Sequence, residues 1–532
     1  MCYARLMMKR CGMAVCLLLA WTFCGAREVR ITILHTTDLH ANILPITDYE
    51  GNQDVGGAAR CAWMIRKIRS EQANVILVDA GDLYQGSALG FVTEGAAMTR
   101  FVNFLRYDSW TLGNHEFDWG IDKIAARVRE TEIPILAANL RHQPRPDTPS
   151  AVTAAFQKIR PYVIREVDGI RIGIVGLSTP GIPNWSRPRL IPGITLEDSV
   201  ATLKQVLPKM KAEGAQILVL VAHQGFREQG DDHANQLSAV SRAFPELDMI
   251  IGGHTHRLRK EQRLNGILYS QANYWGTYLG RVDLIFDTDQ KRVIARKADA
   301  LRMDASVPMD PRLLEMLKPD IQKTEAFLDQ KIGETLDLIH SVKGPRQETP
   351  VFNLLCAAIA EEAESRGGRV EAVIHGLLND RCWLNPGAIT MRNIFDIVPY
   401  ENTIGVAKLS CDQLLEILEE NACAWRDPRF RGLWGMTMKL RPSAPERKRV
   451  LFVGSRQGRS VTPQNCFHVA FNSYDLAGGG VRWPALRKIV DQPGAELREY
   501  DFQTRDAVVK YIRRHSPLRI QTNGWWKTES SR

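Results

Sequence analysis

Thr111-Leu-Gly-Asn-His-Glu-Phe-Asp-Trp-Gly120 follows a short apolar run and reads as the opening of a helix. It gathers Asn114, His115, Glu116 and Asp118 into one turn, beside a glycine that lets the backbone bend. A turn this dense in ligating and titrating groups is costly to hold together unless a metal or a reaction needs it. Alone, it could equally be a capped helix start carrying surface polar residues. Four further stretches share its layout and tip the balance. Ile31-Thr-Ile-Leu-His-Thr-Thr-Asp-Leu-His40 is an apolar run ending in Asp38-x-His40, and Val75-Ile-Leu-Val-Asp-Ala-Gly-Asp82 ends in Gly81-Asp82. Ile217-Leu-Val-Leu-Val-Ala-His-Gln-Gly225 ends in His223, and Met249-Ile-Ile-Gly-Gly-His-Thr-His256 in His254 and His256. Continuous β-branched and aliphatic runs are expected of strands buried on both faces. In open α/β sheets, sites gather at the carboxyl ends of strands, so five loops can meet at one edge.

Asp38, His40, Asp82, Asn114, His223, His254 and His256 offer carboxylate, imidazole and amide groups but no thiolate. That mixture suits Mn, Zn, Fe or Co. Seven ligands exceed what one ion takes, whereas two divalent ions sharing a carboxylate bridge would use them all. Such pairs sit roughly 3.5–4 Å apart and clamp the attacking and leaving oxygens of an in-line displacement.

Taken as a set, the five stretches resemble the calcineurin-like metallophosphoesterases, in the branch of secreted 5'-nucleotidases and 2',3'-cyclic-nucleotide phosphodiesterases, from Arg30 to about Phe286. The resemblance implies a four-layer α-β-β-α sandwich followed by a smaller α+β C-terminal domain that binds substrate. By it, Asp38, His40, Asp82 and His256 would hold one metal, and Asp82, Asn114, His223 and His254 the other, with Asp82 bridging. His115 would form a dyad with Asp118 and stabilise the phosphoryl transition state or protonate the leaving oxygen. Water made acidic by the ions would attack phosphorus in line with the leaving group. One departure is Ala41, where the family usually has glycine.

At 532 residues and 44% apolar, the chain can bury large cores, and two domains are the natural expectation. Its formal charge of +9 falls to +6 without Arg5, Lys9 and Arg10 and forms no long basic run. A nucleic-acid polymer is therefore not indicated as partner, while a small phosphorylated substrate is. Residues 1–26 read as a signal peptide: Lys9 and Arg10, the apolar run Met13–Phe23, then Cys24-Gly-Ala26. The run is short for a membrane anchor, and Phe23 argues against lipid attachment at Cys24. No later run is long and apolar enough to span a bilayer, which predicts an exported protein, periplasmic or extracellular, of open oligomeric state. Outside the leader are Cys61, Cys356, Cys382, Cys411, Cys423 and Cys466, with no C-x-x-C pair and no pairing to assign.

The predicted organisation is a catalytic domain over 27–305, a linker helix within 306–332, a substrate domain over 333–518 and a tail over 519–532. Helical patterns fall at Gly57–Ser70, Gly95–Leu105, Gly120–Thr131, Leu196–Glu213 and Pro311–Ile332, and a surface loop at His142–Ser150. Asp168-Gly169 between Tyr162–Val167 and Ile170–Val175 signals a hairpin. His35, His142 and His233 read as structural or surface residues, Trp119 and Trp185 as packing, and Trp525-Trp526 as docking on the protein's own surface or marking a frayed end. The substrate domain opens with Arg346-Gln-Glu-Thr-Pro350 and the apolar helix Val351–Ala363.

That domain resembles the 5'-nucleotidase C-terminal domain more loosely. Pro399-Tyr-Glu-Asn402 resembles the family's Pro-Phe-Gly-Asn turn, implying that Tyr400 stacks a base and Asn402 bonds the nucleoside. Asn472-Ser-Tyr474 resembles the second stacking site, so Tyr474 would cover the other face. Arg381 matches the arginine that reaches phosphate. Core packing and ordinary surface charge are the plainer readings of these residues. Leu377 and Leu378 replace a glycine-rich turn, and Gly480-Val481 replaces the family's Asp-Gly. The reading is an exported dinuclear-metal phosphohydrolase acting on nucleotides. The alternatives are the same chemistry on nucleotide-sugar diphosphates, cyclic nucleotides or a non-nucleotide ester, a related thiosulfate-type hydrolase, or a binding protein without turnover.

Overall fold

The computed structural model describes residues 27–186, 188–342, 347–425, 430–455, 461–479 and 483–529. The leader, Arg346, Gly480 and Val481 lie outside the described residues. The N-terminal half is built on two six-stranded sheets. In the first, Glu28–Thr36, Val75–Asp79, Ser109–Thr111 and Ile135–Leu136 run parallel, and Tyr278–Asp287 and Arg292–Arg302 close one edge antiparallel. In the second, Ile170–Leu177, Ile217–Ala222, Met249–Gly252 and Ile267–Ala272 run parallel between antiparallel edge strands.

Strand periodicity explains the layering. Alternate side chains Ile31, Ile33, Ile76 and Val78 of the first sheet meet Ile172, Ile174, Val219, Val221 and Ile251 of the second in one apolar core. The intervening Leu34 and Leu77 face outward onto Ala62, Ile65 and Phe101 of helices Ala58–Glu71 and Ala96–Leu105. Leu218, Leu220 and Ile250 face outward onto Leu203 and Leu207 of helix Ser199–Ala212. Both faces of each strand are thus dry, which is why the runs lack polar alternation. The result is the expected helix–sheet–sheet–helix sandwich. The five ligand-bearing loops come from two sheets packed face to face, rather than from one sheet edge.

The second body holds a five-stranded mixed sheet, in the order Gly432–Trp434, Ala372–His375, Cys466–Asn472, Thr403–Ser410, Arg498–Gln503. Helices Pro350–Ser365, Cys411–Cys423 and Thr504–His515 cover it. Several local expectations shift. Helix Pro311–Leu328 stops short of Ile332, because Lys331–Thr335 pairs with Gly387–Thr390 and seats Ile332 in the second core. Leu313 and Leu317 of that helix are buried in the first domain's core, so it is anchored rather than a free linker. His142 lies in the strand Leu140–His142, paired with Ile194–Leu196, and Ser150 begins a helix. The tail is not frayed: Trp526–Thr528 pairs in parallel with Thr437–Leu440, and Trp525 and Trp526 are buried in the second core. Among the described residues all six cysteines are free, with only Cys423 and Cys466 exposed, and no helix is long and apolar enough to cross a membrane.

Candidate metal centre and active site

Backbone bonds lace the five loops together. Asp38 N donates to the Gly81 carbonyl and His40 N to that of Asp82, both at 2.9 Å, and Trp275 N donates to the Asp38 carbonyl at 2.8 Å. His115 N donates to Asp82 Oδ1 at 2.9 Å. The approach is so close that a Cβ on Gly113 would come within 2.3 Å of Asp82 Oδ1, so only glycine fits there. Glu116 completes the lacing from below. Its buried carboxylate accepts from the backbone N–H of Leu83 at 2.7 Å, Gly113 at 2.6 Å and Asp82 at 3.1 Å. Burial, aided by nearby Asp82, pushes this carboxyl up to about 7. Glu116 stood in the opening motif without a role, because its partners are backbone groups that no pattern of side chains announces.

Asp38, His40, Asp82, His254 and His256 all carry a positive φ, between 48° and 71°. Such backbone costs of order 1–3 kcal/mol per non-glycine residue and persists where the surrounding structure demands it. Ala41 sits at φ 55°, which accounts for the family's glycine there.

The side chains converge in a way that calls for cations. His223 Nδ1 lies 2.7 Å from the Ala80 carbonyl, which can only accept, so Nε2 bears the lone pair. That Nε2 faces Asp82 Oδ2 at 3.1 Å and Asn114 Oδ1 at 3.1 Å. Three acceptors therefore point at one another. His40 repeats the pattern: Nδ1 donates to the Gln85 carbonyl at 2.6 Å, leaving Nε2 3.0 Å from His256 Nε2. His256 Nε2 is also 3.4 Å from Asp38 Oδ1, and His254 Nδ1 is 2.9 Å from Asn114 Oδ1. Burial pulls the His40 and His254 imidazoles down to about 3, which keeps them neutral. Burial also lowers His223, but Asp82 outweighs it and raises the ring to about 9, so a proton or a metal ion must sit between them. Six of the seven candidate ligands, together with His115, fall in three overlapping groups, Asp38–His40–His256, His40–Asp82–His115 and Asp82–His223–His254, and Asn114 joins the last through His223 and His254.

His115 stands at the rim of these clusters. Its Nδ1 is 2.6 Å from Asp118 Oδ2 and its Nε2 4.0 Å from Asp82 Oδ2. Burial would lower this imidazole, but the Asp118 and Asp82 carboxylates together raise it to about 10. Beyond it opens a cleft of about 720 Å³ between the two bodies, with Asn114, His115 and His254 on one wall and Asn402, Ser473 and Tyr474 on the other.

Residues 31–258 match the family model described as calcineurin-like phosphoesterase. Those residues form a calcineurin-like phosphoesterase domain. Residues 331–488 match the 5'-nucleotidase C-terminal domain. The phosphoesterase is 26% identical over 560 residues to the trifunctional nucleotide phosphoesterase of Bacillus subtilis, an alignment covering 89% of this chain and 38% of that protein. It is 29% identical over 457 residues to the 2',3'-cyclic-nucleotide 2'-phosphodiesterase/3'-nucleotidase of Haemophilus influenzae, covering 75% of this chain and 68% of the relative. Its fold is like that of the 5'-nucleotidase precursor of Thermus thermophilus, at a TM-score of 0.70 and 23% identity, covering 95% of this chain and all of that one.

The substrate candidates of the phosphoesterase fall in three places. Tyr474 and Asn402 line the cleft, and Ser473 Oγ donates to Asn402 Oδ1 at 3.4 Å, so the two turns are adjacent. Tyr400 is not among the cleft-lining residues. Its hydroxyl is bonded to that of Tyr49, whose ring is parallel to within 19° of His256 and 6.4 Å away. Arg381 is 69% exposed, lies beside Gly51 and does not line the cleft. Trp185 departs from its reading as packing: it belongs to none of the apolar cores among the described residues and lines the cleft against His254. His233, read as structural or surface, also lines the cleft. Glu401 was quoted only as part of a turn, yet it is buried against Arg505, whose guanidinium lies 3.6 Å over the Phe395 ring and 5.3 Å from that of Phe91 in the first domain.

A Glu116→Leu chain tests the lacing. It should lose about 1–3 kcal/mol of stability from orphaned backbone donors and about 10–100-fold in divalent-metal affinity. Thermal melts and metal titration would read both, and unchanged metal affinity would count against the positioning role.

Proposed function

We propose that this phosphoesterase is an exported phosphohydrolase that uses two divalent ions to hydrolyse nucleotide phosphoesters, with Mn, Zn, Co or Fe as the candidate metals. The reading rests above all on three mutually facing acceptors, Asp82 Oδ2, His223 Nε2 and Asn114 Oδ1, beside the paired His115 and Asp118. Asp38, His40, Asp82 and His256 would hold one ion, and Asp82, Asn114, His223 and His254 the other, a donor set that fits such metals. When bound, the ions would acidify water and offset charge on the phosphoryl oxygens.

The remaining work falls to the chain's own groups. Asp118 orients the protonated His115 ring through Nδ1, and Nε2, 4.0 Å from Asp82 Oδ2, keeps its hydrogen for a phosphoryl group. That hydrogen would steady the charge growing on the phosphoryl group or pass to the leaving oxygen. Tyr474 and Asn402 would receive the base and nucleoside. Tyr400 and Arg381 would join them only after the domains move, since neither lines the cleft in this arrangement. The domain division at 305 and 333, with the catalytic site in the first part and substrate contacts in the second, belongs to the same proposal.

A second reading keeps the chemistry and changes the ester to a nucleotide-sugar diphosphate or a cyclic nucleotide. Leu377 and Leu378 favour it, because both pack on the second core in place of a glycine-rich turn. The test is turnover by the manganese-loaded protein, read as phosphate from nucleoside monophosphates, as nucleoside monophosphate from 2',3'-cyclic nucleotides and nucleotide sugars, and as p-nitrophenol from bis(p-nitrophenyl) phosphate. Turnover of nucleotides that disappears in Asn114→Ala and His115→Ala supports the reading. Metal binding without turnover of any ester would overturn it in favour of a binding protein.

A further inference from the structure

We infer that loop 46–55 of the first domain is a latch. Tyr49, near its tip, is a positioning residue that holds Tyr400 and Arg381 away from the cleft, and these two meet a nucleotide only in the released form. The inference rests on the nucleotide reading above, which makes both residues substrate contacts.

The loop is built to keep its shape. Its neck is closed by Ile46 N donating to the Val55 carbonyl at 2.8 Å and Val55 N to that of Ile46 at 3.1 Å. Asp48 holds the tip: Oδ1 accepts from the backbone N–H of Glu50 at 3.0 Å and of Asn52 at 2.8 Å. Arg60, buried in helix Ala58–Glu71, donates to the Asp54 carbonyl at 2.7 Å and pairs with its carboxylate at 2.8 Å. The Tyr49 ring rests against Tyr274 and Trp275, with centroids 4.7 and 4.5 Å away.

Two contacts carry this loop to the second domain. The Tyr49 hydroxyl is bonded to that of Tyr400, and Gly51 lies beside Arg381, whose Nη1 would be 3.8 Å from a Cβ placed there. Of the four substrate candidates, Tyr400 and Arg381 are the two that do not line the cleft, and this one loop meets both. Packing alone does not call for the Tyr49 hydroxyl, since Tyr274 and Trp275 already seat the ring. The hydroxyl serves the contact with Tyr400. While that bond stands, neither residue reaches a nucleotide beside Asn402 and Tyr474. Apparent affinity is then the intrinsic affinity scaled by the released fraction.

The experiment measures KM and kcat for AMP on the manganese-loaded native chain, Tyr49→Phe, Tyr400→Phe and the double variant. One neutral hydrogen bond is worth about 2–10-fold. KM should therefore fall by that factor in Tyr49→Phe while kcat holds, since the ring stays in place. Tyr400→Phe should lower KM equally, and the double variant no further, because each single change breaks the same bond. An unchanged or raised KM in Tyr49→Phe, or effects that multiply in the double variant, overturn the latch. Hydrogen exchange of the ligand-free chain needs no turnover: Tyr49→Phe should speed exchange at 399–403, and Tyr400→Phe at 46–55. Should no chain turn over AMP, the nucleotide reading fails and exchange alone decides. Acceleration across the domain boundary in both variants supports the latch, and acceleration confined to the substituted segment overturns it.

Discussion

Asp82→Asn should leave a folded protein that retains little divalent metal and turns over no phosphoester measurably. Asp82 is the side chain common to both proposed ligand sets: Oδ2 lies 3.1 Å from His223 Nε2 and 3.9 Å from His40 Nε2, while Oδ1 accepts the His115 backbone N–H. Burial favours its neutral form, but the surrounding imidazoles, His223 and His115 foremost, outweigh this and hold the carboxyl well below its usual range. Its charge is therefore present at any working pH. Loss of a mere outer partner of a metal ligand costs about 10–100-fold in affinity, and loss of a shared anionic ligand should exceed that. Asparagine has the same shape and can still accept from His115 N, so the fold should survive. Elemental analysis and a thermal melt read the two halves of the prediction. A variant with full metal content and normal turnover would remove Asp82 from the centre of the site.

His115→Ala should lower kcat by about 10²–10³-fold, the cost of losing one preorganised donor aimed at developing charge. Metal content should hold, since His115 is outside the set of seven. Asp118→Asn gives the companion result in pH. The functional form of His115 is the protonated one, and the raised value near 10 keeps it protonated well above neutrality. Without the Asp118 carboxylate, the lowering effect of burial gains weight and the imidazole loses its proton earlier as pH rises. The basic limb of the pH–kcat profile should therefore move to lower pH. A limb that stays in place would show that Asp118 sets only the orientation of His115.

Much of the catalytic half was legible in the residues. Runs such as Ile217–Ala222 are short-range signals, and their lack of polar alternation already implied strands dry on both faces. Gly81-Asp82, Gly113-Asn114 and Gly253-His254 repeat one device, a glycine that admits a neighbouring loop beside a candidate ligand, so three of the seven candidates carry a local signal. Ile332 was misplaced because a helix-compatible pattern can be overridden by pairing with a strand more than fifty residues away. Of the two readings of the tail, docking holds, because the parallel pairing with Thr437–Leu440 buries Trp525 and Trp526 in the second core.

The substrate half was less legible for the same physical reason, on a larger scale. Tyr400, Tyr474 and Trp185 are all aromatic residues near turns, and nothing local distinguishes one that stacks a ligand from one that packs. Domain packing does so: it bonds Tyr400 to Tyr49, leaves Arg381 beside Gly51, and opens Tyr474 and Trp185 to a common cleft. By itself the sequence determined the strands, the candidate ligands and the chemistry such groups can support, because each depends on residue type and near-neighbour spacing. Only the tertiary structure decided which side chains share the cleft, because that depends on contacts between residues hundreds of positions apart.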